Sequence, residues 1–271
     1  MSTREFLEVE PGVNLHIRDW GQGKTIVFIP GWPLSYDMYE YQFTQLPKLG
    51  YRCVGITMRG FGKSSQPWGS YSYDVLADDV KKVIEALNLR DVTLTGHSMG
   101  GAIAIHYMAR HTGAGVAKLA LFGAAAPIFT KRPDYPHGWE KAAIDDFIKL
   151  CYSDRAQLME NFGKLFFRTE NAVSPKFADW FQRMGMEASP HATAACLEAL
   201  RDTDLRTDLA KIKVPTAIFH ALGDRVGSFG FAEVMASGIQ GAKLIKFEQS
   251  GHGLFYDERE KFNSELAKFV G

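Results

Sequence analysis

The sequence predicts an α/β protein: a mostly parallel, doubly wound sheet interrupted late by a block of helices. Three observations predict it. Short runs rich in β-branched and apolar residues alternate with longer segments of helical periodicity over 24–126, the rhythm of parallel strands joined by crossover helices. One such run, Thr25-Ile26-Val27-Phe28-Ile29, is apolar after its threonine, as a strand covered on both faces must be. The rhythm stops between 127 and 209, where helical patterns follow one another without a strand, and resumes from 210. The expected organisation is a sheet domain built from 1–126 and 210–271, with 127–209 inserted as a helical cap over the carboxyl edge of the sheet.

Taken in order, 6–9 and 13–20 are alternating runs split by Pro11-Gly12 and read as an antiparallel hairpin at the sheet edge. The strand 25–29 runs straight into Pro30-Gly31-Trp32-Pro33. Helical spacing over 38–49 leads to a strand at 51–57, which ends in Met58-Arg59-Gly60-Phe61-Gly62-Lys63-Ser64. A helix over 73–88 precedes the strand 92–95; an Ala/Ile-rich helix from Ala102 onward leads to the strand 116–122. In the inserted block, 139–151, 155–167, 175–186 and 191–200 read as helices. A strand at 214–219, a helix at 231–239, a strand at 243–247 and an amphipathic helix over 257–270 close the chain.

A chain of 271 residues that is 46% hydrophobic can bury one large core, with or without an inserted subdomain. Formal net charge is zero, from 31 basic and 31 acidic residues with no long run of one sign. That balance argues against nucleic acid or an anionic membrane as the main partner and points to a small neutral one. Residues 1–10 alternate charge with apolar side chains and lack the apolar core of a secretion signal, so a cytoplasmic protein is expected. The longest nearly uncharged apolar run, 119–129, is too short to span a bilayer and contains Gly123 and Pro127. Cys53, Cys151 and Cys196 lie far apart and form no Cys-x-x-Cys pair, so they read as small buried hydrophobes of a reducing compartment. The sequence leaves a homo-oligomer open.

The chemistry is concentrated in Thr95-Gly96-His97-Ser98-Met99-Gly100-Gly101. Gly-x-Ser-x-Gly between a strand and a helix is the nucleophile elbow, a turn that holds its serine in a strained conformation at the edge of the sheet. Gly96 and Gly100 are needed because a Cβ there would collide with the neighbouring strand or helix. The N–H of Met99, in the first helical turn, has no intrahelical partner and points to where negative charge would develop. An elbow serine needs a base, and His252, in the loop Gln249-Ser250-Gly251-His252-Gly253 after a strand, is the best placed of the eight histidines. His97 adjoins the serine and so points elsewhere; His16, His106 and His111 read as structural. For the acid that orients the base, Asp224 follows the strand 214–219, whereas Phe122 is followed by Gly123-Ala124-Ala125-Ala126 and offers no carboxylate. The order Ser98, Asp224, His252 is one of the known chain orders of such a triad. Using His220, Asp224 and His252 as metal ligands is disfavoured because an elbow serine needs no metal, and no cofactor is expected.

On these residues the chain resembles the α/β-hydrolase fold over essentially its whole length. It is most similar to the cofactor-free group of aryl esterases, haloperoxidases and perhydrolases, through Asp19-Trp20-Gly21, Gly31-Trp32-Pro33, Arg59-Gly60-Phe61-Gly62-Lys63-Ser64, the elbow, Arg132-Pro133-Asp134-Tyr135-Pro136 and Gly251-His252-Gly253. Three departures stand out. The group usually has histidine where Pro30 stands and an acidic residue where Thr57 stands, so the hydrogen bonds behind the oxyanion loop are expected to differ. Its acid loop normally reads Asp-x-x-x-Pro; here Asp224-Arg225-Val226-Gly227-Ser228 is expected to be more flexible.

The resemblance and the residues together imply a serine carboxylic-ester hydrolase, with Ser98 as nucleophile, His252 as base, Asp224 as orienting acid, and the backbone N–H groups of Met99 and Trp32 holding the oxyanion. Substrate contacts are expected from Trp32, Pro33, Phe129, Trp139, Phe162, Trp180 and Leu254. Between 127 and 210 eleven basic and thirteen acidic residues are too balanced to select a charged acyl group, so a medium-sized neutral ester is the expected substrate. Related acyl transfers, namely perhydrolysis, lactone opening and γ-lactam hydrolysis, are the alternatives within enzymes. Pro33 bears on the first, because it constrains the Trp32 carbonyl, an acceptor for the extra O–H of a peroxide. A hydrolase-fold small-molecule sensor is the alternative of another class. Epoxide hydrolase and haloalkane dehalogenase are disfavoured, since both need a carboxylate at position 98.

Overall fold

The computed structural model describes residues 5–169 and 172–271. The part of the N-terminal reading that falls on 1–4 lies outside them. Eight strands, β1 (Phe6–Glu10), β2 (Val13–Gly21), β3 (Lys24–Ile29), β4 (Tyr51–Ile56), β5 (Val92–His97), β6 (Val116–Phe122), β7 (Thr216–Ala221) and β8 (Lys243–Phe247), form one sheet in the order β1-β2-β4-β3-β5-β6-β7-β8. The predicted hairpin is its antiparallel edge: β1 pairs with β2 and β2 with β4 antiparallel, and every other pairing is parallel. Ile26, Val27, Phe28 and Ile29 are fully buried, which accounts for their unbroken apolar character. Ile29 is level with Gly96 across β3 and β5, and His97 with Phe122 across β5 and β6, so the loops after these strands leave one edge of the sheet together.

The helices are α1 (Glu40–Gln45), α2 (Tyr73–Ala86), α3 (Met99–Arg110), α4 (Lys141–Ser153), α5 (Arg155–Phe166), α6 (Pro175–Met186), α7 (Pro190–Asp202), α8 (Arg206–Leu209), α9 (Phe229–Gly238), α10 (Leu254–Asp257) and α11 (Arg259–Val270). Three expectations are corrected. The helix expected over 38–49 is a 3-10 turn (Tyr36–Tyr39), then α1, then a second 3-10 turn (Leu46–Leu49), because Pro47 cannot donate the hydrogen bond that would continue an α-helix. The strand expected from 214 starts at Thr216, after Pro215. The closing helix is broken at Glu258, whose φ of −118° and ψ of 50° separate α10 from α11.

Between β6 and β7 the described residues hold α4 to α8 and only isolated bridges, Thr130 with Trp139 and Arg132 with Tyr135, in place of strands. Helix starts in this block obey local chemistry. Asp154, Ser174 and Ser189 each accept a hydrogen bond from the backbone N–H three residues on, and Pro175 and Pro190 occupy the first helical position where a missing donor costs nothing. All three cysteines are free and buried, and burial pushes the thiols of Cys53 and Cys151 up to about 12, so none is a thiolate at neutral pH. Among the described residues no helix is long and apolar enough to cross a membrane.

Candidate active site

Ser98 lies between β5 and α3 at φ 53° and ψ −121°, a left-handed conformation unusual for a residue with a side chain. The turn is held from all sides. Ser98 N–H donates to Phe122 O at 3.0 Å, and Ser98 O accepts from the N–H groups of Gly101 and Ala125 at 2.9 and 3.0 Å. A Cβ on Gly96 would strike the Gly100 backbone, and one on Gly100 would lie 2.6 Å from Ile29 O, so neither position accepts a side chain while the turn stays this tight. Gly31 is excluded from bearing one for the same reason: a Cβ there would stand 2.7 Å from His97 Nδ1 and 3.1 Å from Ser98 Cβ. The loop 30–33 therefore passes directly over the serine, with Trp32 fixed by its Nε1–H donating to Thr193 O at 2.9 Å. The Trp32–Pro33 peptide is cis.

Asp224 and His252, from the loops after β7 and β8, meet in the interior. His252 Nδ1–H donates to Asp224 Oδ2 at 2.7 Å, and both side chains are fully buried. Asp224 Oδ1 accepts from the N–H groups of Val226 and Gly227, each at 2.8 Å. Burial alone would raise the pKa of the Asp224 carboxyl; the imidazoles of His252 and His220 and the Gly227 N–H outweigh it and hold the group below the ordinary carboxylate range. The acid is thus an anion that accepts from several donors at once.

With Nδ1 committed as a donor, the other nitrogen of His252 carries the lone pair. That Nε2 atom is buried and has no hydrogen-bond partner among the described residues. Two further histidines, one expected to point elsewhere and the other weighed only in a disfavoured metal site, frame the pair. His97 Nε2–H donates to His252 O at 2.9 Å, and burial keeps its imidazole neutral, with a pKa well below the usual value. His220 Nε2–H donates to Gly227 O at 2.9 Å and lies 3.6 Å from Asp224 Oδ2. The acid loop, expected to be loose without its proline, is therefore fastened at Gly227 through both its N–H and its carbonyl. Among the described residues no cluster of three or more His, Cys, Asp or Glu side chains is arranged to hold a metal ion.

Ser98 opens onto a narrow cavity of about 20 Å³ whose walls include Trp32, Phe129, Trp139 and Phe162. These four residues, expected at the substrate, line it together with Ser98. The other three expected residues do not line this cavity. Pro33 faces a neighbouring cleft between α5 and α6. Trp180 lines a surface groove with Tyr41 and Tyr256, because it lies one residue, about 100° of helix, away from the inward-facing Phe181. Leu254, the first residue of α10, is fully buried in the core and is not among the residues of the cavity. The remaining wall, Phe147, Leu197, Leu200 and Val226, was not singled out as substrate-binding from sequence. Leu197 and Leu200 follow the i, i+3 spacing of a buried helix face, a visible signal that gives no indication of what the face covers.

The comparisons with known proteins agree with this fold. The alpha/beta hydrolase fold family matches residues 24–259. The AB hydrolase superfamily protein YisY of Bacillus subtilis (strain 168) is 50% identical over 97% of this chain and 98% of its own. The non-heme chloroperoxidase CPO-A1 of Kitasatospora aureofaciens is 33% identical over 96% of each. The esterase EaEST from Exiguobacterium antarcticum superposes with a TM-score of 0.95 at 43% identity, covering 98% of both chains. With the strand order, the elbow geometry and these similarities in agreement, the chain belongs to the alpha/beta hydrolase fold family.

Proposed function

We propose that this hydrolase cleaves medium-sized neutral carboxylic esters through an acyl-enzyme on Ser98. The observation that carries the reading is His252, whose Nδ1–H is bound by a buried carboxylate while its buried Nε2 has no hydrogen-bond partner among the described residues. A base so prepared takes the Ser98 proton as Oγ attacks the ester carbonyl. It then returns that proton to the leaving alcohol, and repeats the cycle with water to release the acid. Asp224 keeps the imidazole in the productive tautomer and offsets the positive charge it gains. The backbone N–H groups of Met99 and Trp32 hold the oxyanion, an arrangement in which loss of one donor typically costs about 10²–10³ in turnover. An apolar cavity wall suits a neutral acyl group, and a structural neighbour named an esterase supports the ester over other acyl donors.

The relative named a chloroperoxidase supports a second acceptor, hydrogen peroxide, at the same acyl-enzyme. A panel of aryl esters, lactones and γ-lactams, assayed with and without peroxide, tests the reading. Many turnovers per second on aryl esters are expected, with Ser98→Ala losing at least ~10³-fold. Residual hydrolysis within tenfold of the parent would remove Ser98 from the nucleophile role.

A further inference from the structure

The cavity at Ser98 holds about 20 Å³, room for roughly one water, so most atoms of any ester must lie elsewhere. A larger space adjoins it. The cleft between α5 and α6 measures about 440 Å³, within the usual range of small-molecule sites. Phe162 lines both spaces, and Pro33 of the cleft directly follows Trp32 of the cavity. Inside, the cleft is apolar, with Met159, Phe162 and Phe181 nearly fully buried. At its mouth stand the exposed Glu160, Lys164 and Asp179. Glu160 pairs with Lys164 at 2.8 Å, and the Asp179 carboxylate lies 3.7 Å from Lys176. The charged lining of the mouth is thus two carboxylates and one ammonium, which offers no net positive charge to recruit an anionic group.

We propose that this cleft is the second chamber of the same site and seats the uncharged apolar arm of the substrate, with Phe162 as the shared wall that the arm passes. The inference rests on the ester-hydrolase reading above and narrows it to esters with an arm of about six carbons or more. Gly163 allows a direct test. It lines the cleft and not the Ser98 cavity, and a Cβ added there would meet nothing within 4 Å. It also lies inside α5, where any ordinary residue is a better helix former than glycine.

Gly163→Phe should lower kcat/KM for p-nitrophenyl octanoate at least tenfold while p-nitrophenyl acetate changes less than twofold. Unchanged rates on both esters would overturn the proposal. So would an equal fall on both, or a parent that hydrolyses the acetate and not the octanoate. Calorimetric titration of p-nitrophenyl octanoate into Ser98→Ala, with and without Gly163→Phe, reads the cleft without turnover. At least tenfold weaker binding is expected with the phenylalanine, and equal affinities would overturn the cleft's role. If the parent hydrolyses no ester, the functional reading fails and this binding comparison alone decides the cleft.

Discussion

At the scale of single residues, the proposed chemistry depends on which carboxylate orients His252. Asp224 is the residue bound to it, whereas Asp208, another buried aspartate near the end of the insertion, accepts from His106 Nδ1 and Lys211 at 2.8 and 2.9 Å. Asp224→Asn leaves the shape intact but turns a donor toward His252, so kcat should fall by on the order of 10⁴. Asp208→Asn should leave kcat within twofold. The reverse pattern in a steady-state ester assay would show the acid to be wrongly assigned. Asp224 and His252 were legible because each follows a strand and each has the right chemistry. The supports of that pair, His97 and His220, were not. Position in sequence placed one beside the serine and the other just after a strand, and only the folded backbone brings His252 O and Gly227 O within reach of their rings.

At the scale of elements, the strands were readable to within a residue or two, since unbroken apolar runs have one structural meaning in a sheet covered on both faces. The helical insertion was readable as helices but not as a cavity wall. Helical periodicity identifies a buried face and says nothing of what buries it, which is why Trp180 was expected at the substrate and Leu200 was not. Two glycines show how differently a helix can use the same residue. In α3 a methyl on Gly100 meets the backbone carbonyl of Ile29, which cannot swing aside as a side chain would, so Gly100→Ala should cost about 1–3 kcal/mol. In α5 a methyl on Gly163 enters open space, and Gly163→Ala should stabilise by up to about 1 kcal/mol. Urea unfolding of the two variants checks the contrast; shifts of the same sign would contradict it.

At the scale of the whole molecule, parallel strands carry three distant segments to one sheet edge, and the side chains are buried where they meet. That burial has a measurable consequence for stability. Burial pushes His97 and His220 below the ordinary imidazole pKa, so the unfolded chain takes up protons first as pH falls through about 6.5. Stability is therefore full above that pH and declines below it, by at most about 1.4 kcal/mol per pH unit for each group, until the depressed folded values are reached. Asp224, also depressed, adds its loss only below the unfolded carboxylate pKa of about 3.9. The urea midpoint should thus be lower at pH 5.5 than at pH 7.5, and equal midpoints would contradict the neutral buried imidazoles. The central claim, that the folded sheet edge makes Ser98 the nucleophile, is tested most directly by an irreversible alkyl phosphonate followed by peptide mass analysis. One added phosphonyl mass is expected on the peptide containing Ser98, with labelling strongly slowed in His252→Ala. Labelling of any other residue, or equal rates in parent and variant, would contradict it.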